Sequence, residues 1–339
     1  MSRPLDPETN DETDLVPIAA SLVEPGIIWS CWSEGDRLVV DHVEPPADAP
    51  FRWIHLDLCD RRSVRWVARE AGLPAAAADL FTDIETRPEG RWAGGAMVLI
   101  LPDLERDFNA VETGRIGALR LAYRDGLLVT GRHRPLRTPD TLRGLLASSG
   151  PLDGGTALDL VFATLGNLVA ERTHMLLAEQ LALEDQILAD EGTPDTRLLV
   201  GMRRLSARLH RITAGMRTAL HRLEGEPGLP PDLAALIERQ SARLGALDRE
   251  IIAVQGQLRL LRDELDLQAS QRTNHNVYLL SVVTALFVPA TLVTGFFGMN
   301  TGGLPFARGA GGTLLAAIAA AACSGVTWLA LRRMGLIRR

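Results

Sequence analysis

Between Asp263 and Gly295 the chain sets a row of side chains at alternating four- and three-residue steps: Asp263, Leu267, Ser270, Asn274, Val277, Ser281, Thr284, Val288, Thr291 and Gly295. That spacing puts the row on one face of a helix. Its chemistry shifts from acidic to small and hydroxylated. Amide and hydroxyl oxygens can contact a hydrated cation without stripping its water. The row runs into Gly298-Met299-Asn300, where glycine permits tight backbone geometry and Asn300 offers an amide oxygen. Small and hydroxylated residues also let helices pack closely, so the row by itself supports either a packing seam or a wet path.

Other chemistry is scarce. All 36 basic residues are arginine. The missing lysine rules out a Walker A lysine and a Schiff-base nucleophile. Cys31, Cys59 and Cys323 are far apart and form no C-x-x-C pair, which reads as buried thiols rather than a disulfide framework or zinc ribbon. His210 and His221 stand eleven residues apart, about 16 Å along a helix axis, too far to share one metal. His42, His55, His133 and His174 have no evident partner and read as structural or surface residues. His275 differs, because it adjoins Asn274; with Asp263, Glu264 and Asp266 it forms the titratable group nearest the row. No nucleophile and base pair emerges, so an enzyme is not expected.

The elements that must carry the row are legible in the hydropathy. Residues 277–297 (VYLLSVVTALFVPATLVTGFF) and 313–331 (TLLAAIAAAACSGVTWLAL) carry no formal charge, and each is long enough to cross about 30 Å of hydrocarbon as a helix. Tyr278 and Trp328 sit where interfacial aromatics belong. Arg272 precedes the first span, Arg332, Arg333, Arg338 and Arg339 follow the second, and the connecting loop holds only Arg308. The positive-inside rule then predicts both termini in the cytoplasm. Two spans of one chain cannot enclose water, so a conduction path requires several copies around an axis. A membrane-anchored sensor that transports nothing is the alternative from another class; a dimer suffices for it.

Ahead of the spans, apolar residues recur in heptad steps: Leu233, Ile237, Gln240, Leu244, Leu247, Ile251, Val254, Leu258, Leu261, Leu265 and Gln268. A matching series, Leu198, Met202, Leu205, Leu209, Ile212, Met216, Ala219 and Leu223, precedes the breaker EGEPGLPP. The two predict an antiparallel helical hairpin whose second arm, free of proline up to Pro289, runs unbroken from 232 to 297, on the order of 100 Å. Another helix is expected over 156–190. Between 26 and 155 the pattern changes to strand candidates at 27–32, 38–40, 51–56, 97–101, 116–123 and 127–131, with helices at 63–71, 75–80 and 138–147.

The whole chain has 339 residues, is 46% hydrophobic and has a formal charge of -6, which excludes a globally basic nucleic-acid binder. Residues 1–17 carry Asp6, Glu8, Asp11, Glu12 and Asp14 against Arg3 alone, which reads as a disordered acidic tail rather than a signal peptide. The expected organisation is an α+β membrane protein: acidic tail 1–24, α/β domain 25–155, helical stalk 156–276, first span 277–297, external loop 298–312, second span 313–331 and basic tail 332–339.

The run VVTALFVPATLVTGFFGMNTGGLP at 282–305, with WIHLD at 53–57 and TRP at 86–88, resembles the CorA superfamily of divalent-cation transporters, and more closely its ZntB branch. The similarity covers nearly the whole chain from about Pro25, with only the acidic tail outside it. It implies a funnel-shaped homopentamer in the cell inner membrane, with an α/β/α cytoplasmic domain, a long stalk and a pore lined by the first span. Gly298, Met299 and Asn300 would form the selectivity entrance. Asn274, Val277, Ser281, Thr284, Val288, Thr291 and Gly295 would line the pore, with Asp263 in its cytoplasmic continuation. The implied cargo is Zn2+, with uptake coupled to protons; since the middle of the span holds no titratable group, such coupling would involve water or the inner-border groups Asp263, Glu264, Asp266 and His275. The implied partners are further copies of the chain, membrane lipid and the cation, with no tightly bound cofactor and no nucleic acid. A passive Mg2+ or Co2+ channel on the same scaffold is the alternative within the family. One departure concerns the outer loop, where magnesium-transporting relatives commonly carry acids. Residues 301–312 have no acid and one Arg308, which weakens electrostatic attraction at the mouth.

Overall fold

The computed structural model describes residues 26–106, 112–188, 196–298 and 312–334. The acidic residues up to Glu24, together with Met299, Asn300 and Arg308, lie outside the described residues. Two compact units divide the chain, Met1–Arg259 and Leu260–Arg339.

The first unit is built on a seven-stranded sheet of β1 (Ile27–Glu34), β2 (Arg37–Asp41), β3 (Arg52–Asp57), β4 (Glu89–Ala93), β5 (Ala96–Arg106), β6 (Glu112–Arg124) and β7 (Leu127–Arg132), in the order β2-β1-β3-β7-β6-β5-β4. Only β3 and β7 pair in parallel, with Ile54 opposite Val129; the other neighbours are antiparallel. The β6–β7 hairpin turns through Asp125 and Gly126, both at positive φ, and the β4–β5 hairpin through Gly94 and Gly95 likewise. Two residues at positive φ give the primed turn whose twist matches paired strands. The paired glycines at 94–95, which carry no nucleotide fingerprint, are therefore a hairpin turn.

Strand alternation divides the buried side chains between two cores. On one face Ile54, Val98 and Val129 pack with Val67 of α1 (Arg61–Arg69) and with Ala77 and Phe81 of α2 (Ala75–Thr82). On the other, Trp53, Leu99, Leu121 and Leu128 pack with Leu142 of α3 (Arg137–Leu146), Phe162 of α4 (Gly154–Leu188), Met216 of α5 (Thr196–Glu224) and Ile237 of α6 (Pro231–Gly298). The result is the expected α/β/α sandwich. β4 is the strand that the sequence pattern does not reveal. It is a short edge strand, EGRWA, without apolar alternation, and α5 lies directly on it: a Cβ on Gly90 would stand 2.0 Å from the Ala219 carbonyl oxygen.

The long helices form a three-helix bundle. α4 and α6 run parallel, since Gln240 donates to Asp159 at 2.8 Å and Gln180, further along α4, donates to Gln257 at 3.1 Å. α5 runs antiparallel to α6, with Thr213 on Asp248 and Ser206 against Gln255. The heptad seam of α6 is buried from Ile237 to Leu258, apart from a half-buried Leu247. One position needs correction: Leu198 is 43% exposed and Leu199 takes its seam place at 3%. A three-residue step from Leu199 to Met202 satisfies the helical face as well as the four-residue step from Leu198 does.

The second unit holds the membrane-facing part of α6 and the whole of α7 (Gly312–Arg333). α6 continues helical through Pro289. Both helices are long and apolar enough to cross a membrane, and α7 has no buried residue. Apolar helices this exposed require a nonaqueous surrounding.

Candidate functional site

α6 and α7 pack through complementary rows. On the membrane part of α6 the half-buried positions are Tyr278, Val282, Ala285, Leu286, Pro289, Ala290, Val293 and Phe297; on α7 they are Gly312, Ala316, Ala319, Ala320, Ser324, Thr327 and Leu331. The α7 row is almost entirely small residues, which permits close backbone approach in a membrane. Ser324 donates to the Leu286 carbonyl oxygen at 3.1 Å.

The polar row lies elsewhere on α6. Asp263, Leu267, Ser270, Asn274, Val277, Ser281, Thr284, Val288, Thr291 and Gly295 are all exposed in the single chain. At 100° per residue the membrane part of the row is centred about 140° around the helix from the α7-facing residues. The row and the α7 contact are thus different faces. A Cβ on Gly295 or Gly298 would meet nothing within 4 Å.

The three hydroxyls in the membrane part of this row share one arrangement. Ser281 Oγ donates to the Val277 carbonyl oxygen at 2.8 Å, Thr284 Oγ1 to that of Leu280 at 2.8 Å and Thr291 Oγ1 to that of Phe287 at 2.9 Å. Each spends its single proton on the helix backbone, which leaves oxygen lone pairs to face outward. At these three positions the face therefore offers acceptors rather than donors. That polarity suits a cation and its first water shell.

At the other end of the row Asp263 and Glu264 are exposed, and Asp266 pairs with Arg262 at 3.5 Å. The His275 ring lies 6.4 Å from that of Tyr278. Among the described residues no three His, Cys, Asp or Glu side chains stand close enough to hold a metal ion. Gly298 is the last described residue of α6, so the geometry of Met299 and Asn300 is outside the description.

Of the three thiols expected to be buried only Cys31 is; Cys59, in the turn between β3 and α1, and Cys323, on α7, are exposed. The hydrogen-bond partners of the buried polar groups in the first unit carry no signal in the sequence. Asp248, 4% exposed, accepts from His210 at 2.7 Å, Thr213 at 2.8 Å and Arg217 at 2.7 Å. Burial alone would raise the Asp248 pKa; these three partners outweigh it and hold the carboxyl below its ordinary range. His55 is fully buried, bonded to Thr130 Oγ1 at 2.9 Å and stacked on Trp29, and burial lowers its pKa well below that of a free imidazole. His42 bonds the Ile28 carbonyl oxygen, and His174 stands 3.7 Å from Glu250. Arg120, fully buried, donates to the Asp83 and Glu85 carbonyl oxygens and so fixes the loop before Thr86-Arg87-Pro88. Pro88 in turn abuts α5: a Cβ on Gly215 would stand 2.9 Å from its ring. The TRP triplet thus works in this chain as a joint between sheet and bundle.

Comparison with known proteins accords with this architecture. A family described as CorA-like Mg2+ transporter protein matches residues 48–333. The zinc transport protein ZntB of Pectobacterium carotovorum subsp. carotovorum (strain PC1) is 26% identical over 256 residues, 75% of this chain and 78% of that protein. The divalent cation transporter CmaX of Pseudomonas aeruginosa is 28% identical over 295 residues, 83% of this chain and 86% of that one. Among solved structures, full-length CmaX is similar with a TM-score of 0.74 at 24% identity, covering 91% of this chain and 98% of the other. The CorA magnesium transporter from Methanocaldococcus jannaschii also gives 0.74, at 17% identity and with the same coverage. At these identities the two structures establish the fold.

Proposed function

The chain belongs to the CorA-like Mg2+ transporter family and is a membrane transporter of divalent cations, not an enzyme; from that premise we propose that it takes up Zn2+ across the cell inner membrane, through a pore that α6 helices of a homopentamer build around one axis. Zinc is preferred because relatives matching three-quarters of the chain are named zinc transport proteins.

The observation that carries the pore reading is the exposed acceptor face of α6. Ser281, Thr284 and Thr291 turn their lone pairs away from the helix on a face that α7 leaves open. Repeated around an axis, that face becomes a lumen lined by oxygens, with Asn274 at one end and Gly295 at the other. α7 then supports the ring from behind through its small-residue row.

Zn2+ stripped of water prefers Cys, His or carboxylate ligands. Neither span carries His or acid, and Cys323 is on α7. The ion therefore passes with most of its hydration, steadied by hydroxyl and amide oxygens. Gly298, Met299 and Asn300 form the entrance, where a ring of Asn300 amide oxygens meets the incoming hydrated ion. Asp263 attracts it at the cytoplasmic end. Arg272, Arg332 and Arg333 support cytoplasmic termini by the positive-inside rule.

Proton coupling runs through Asp263, Glu264, Asp266 and His275, because no titratable side chain lies between Val277 and Gly295 apart from Tyr278. The same sparseness favours a second reading, passive conduction shared with Mg2+ or Co2+. Zn2+ uptake into proteoliposomes, with and without an imposed pH gradient, separates them. Flux that grows with the gradient supports coupled zinc import. Gradient-independent flux in which Mg2+ competes supports the passive channel. No flux of any divalent cation from verified oligomers sinks both.

A further inference from the structure

The chain enters the described fold at Gly26, and it does so against α1. Gly26 adopts a φ of +100, and its carbonyl oxygen accepts the Asp57 N–H at 2.7 Å. A Cβ placed on it would stand 1.9 Å from Ser63 Oγ. The residues before it therefore leave the fold beside α1, whatever their own conformation.

α1 reads RRSVRWVAR, with arginines at 61, 62, 65 and 69 and no acid. Arg62 pairs with the helix-capping Asp60 at 3.1 Å. Arg65 and Arg69 are exposed and make no hydrogen bond or ion pair with another described residue. Between this helix and the start of β1 lies a groove of about 300 Å³. Ile27, Leu56 and Trp66 give it an apolar floor, and Arg62, Arg65 and Arg69 line its rim together with one acid, Glu70, so the rim keeps a net positive charge. Ser63 also lines it, is 1% exposed, and its Oγ has no hydrogen-bond partner among the described residues. The groove is thus apolar at its base, cationic at its edge and short of one acceptor.

The segment that leaves beside this groove has the complementary order. Reading back from Gly26 it carries Glu24, then the apolar stretch 15–23 (LVPIAASLV), then Asp14, Glu12 and Asp11. Fully extended, the twelve residues from Asp14 to Gly26 span about 40 Å, whereas α1 is about 13 Å long. The acids can reach every arginine of α1, and the short tether keeps their effective concentration high. We infer that residues 11–24 dock in the α1 groove of their own chain. Leu22 and Val23 rest on the half-buried Trp66, and the acids pair with Arg65 and Arg69. The docked segment is an intramolecular ligand of the domain, held by charge on a small apolar seat.

Hydrogen–deuterium exchange of the full chain in detergent, without added lipid, tests this. In the intact protein, peptides covering 61–70 should exchange about tenfold more slowly than after deletion of residues 2–24, the size that two or three exposed ion pairs and a few covered side chains supply. Arg65→Glu with Arg69→Glu should release the peptides covering 11–24 to the same extent, and so should 0.5 M salt. Exchange of 61–70 that ignores the deletion overturns the inference. Protection of α1 only when anionic lipid is added also overturns it, by making the headgroups the occupant. A Leu22→Cys/Arg69→Cys pair in a Cys59→Ser/Cys323→Ser background, which leaves only the buried Cys31, should close within one chain; a covalent dimer instead would assign the groove to a second copy.

Discussion

Ser324 of α7 donates its hydroxyl to the backbone carbonyl oxygen of Leu286 on α6, 3.1 Å away, three residues before Pro289. Proline supplies no N–H to the preceding turn and its ring crowds the carbonyls there. The carbonyl oxygen that Pro289 leaves without an N–H is that of Ala285, one residue before Leu286, so the second helix meets the first within the turn that the proline disturbs. This contact, with the small residues around it, turns the acceptor row of α6 away from α7.

Removing that hydroxyl should therefore loosen the hairpin. Ser324→Ala is expected to cost about 1 kcal/mol, the size of an interhelical hydrogen bond in a membrane. Ala320→Leu, on the same α7 face, should cost more, because the row is built for close approach. Thermal unfolding in detergent ranks the two. Equal stability of wild type and both variants would mean that α7 does not set the orientation of α6.

Thr284 separates a wet face from a packing seam. Thr284→Val keeps the shape and removes the oxygen; Thr284→Ser keeps the oxygen and removes a methyl group. If the lone pairs contact the hydrated ion, the valine variant should lose about tenfold in flux, what roughly 1.4 kcal/mol at the barrier gives, and the serine variant should stay near wild type. A seam predicts the opposite ranking, since packing follows shape. Zn2+ uptake at matched protein density decides between them.

Asn300→Ala should abolish uptake without changing the size of the oligomer on a sizing column. The reasoning is chemical: alanine supplies no oxygen at the entrance, yet alters little bulk. Flux equal to wild type would remove Asn300 from the path.

How much of this was legible beforehand depends on the range of the signal. Uncharged runs and heptad steps are local, so both spans, the bundle and its antiparallel arm could be read from spacing. Row positions such as Thr284 and Gly295 could be read too, but not which row meets α7, since hydroxyl and alanine faces both suit packing. The strand β4 escaped because EGRWA sits on an edge and has no alternation, although Gly94-Gly95 behind it was the available hairpin signal. Asp248, Asp103 and Arg120 escaped for a different reason. Their partners are distant in sequence or are backbone atoms, and no spacing rule announces them. The spacing of His210 to His221 excludes a shared metal but says nothing of Asp248, the acceptor of His210, which is thirty-eight residues away.

Asp248 joins α5 to α6 through three donors, and its loss should be felt by the bundle. Asp248→Ala leaves His210, Thr213 and Arg217 without their acceptor. His210 and Arg217 are partly exposed, at 37% and 47% of their side chains, so water can resatisfy them. The expected cost is about 2 kcal/mol, below that of breaking a fully buried ion pair. The pH dependence has a definite sign. The folded pKa lies below the unfolded one, so the contribution is complete above the unfolded value near 3.9 and fades as pH falls through the folded value. Wild type should lose stability on acidification into that range, and the alanine variant should lose less. Parallel acid profiles would show that the carboxylate adds no net stability.

Asp103 should behave in the opposite way. Its carboxyl accepts the Leu104 N–H at 2.7 Å and the Thr138 N–H at 3.0 Å, yet the side chain is 4% exposed, and burial pushes its pKa up to about 6. The folded protein therefore holds this proton more tightly than the unfolded chain. Its contribution is complete below about pH 4, declines as pH rises to about 6 and is constant above, a difference of about 3 kcal/mol for two pK units. Asp103→Asn cannot ionise, so that decline should vanish. It also replaces one acceptor oxygen with an N–H2 donor facing a backbone N–H, which lowers stability at every pH. The discriminating quantity is thus the change in unfolding midpoint between pH 4.5 and pH 7, variant minus wild type. A positive difference means that Asp103 ionises at a cost in the folded state. No difference means that the two backbone donors stabilise the carboxylate enough to cancel its burial.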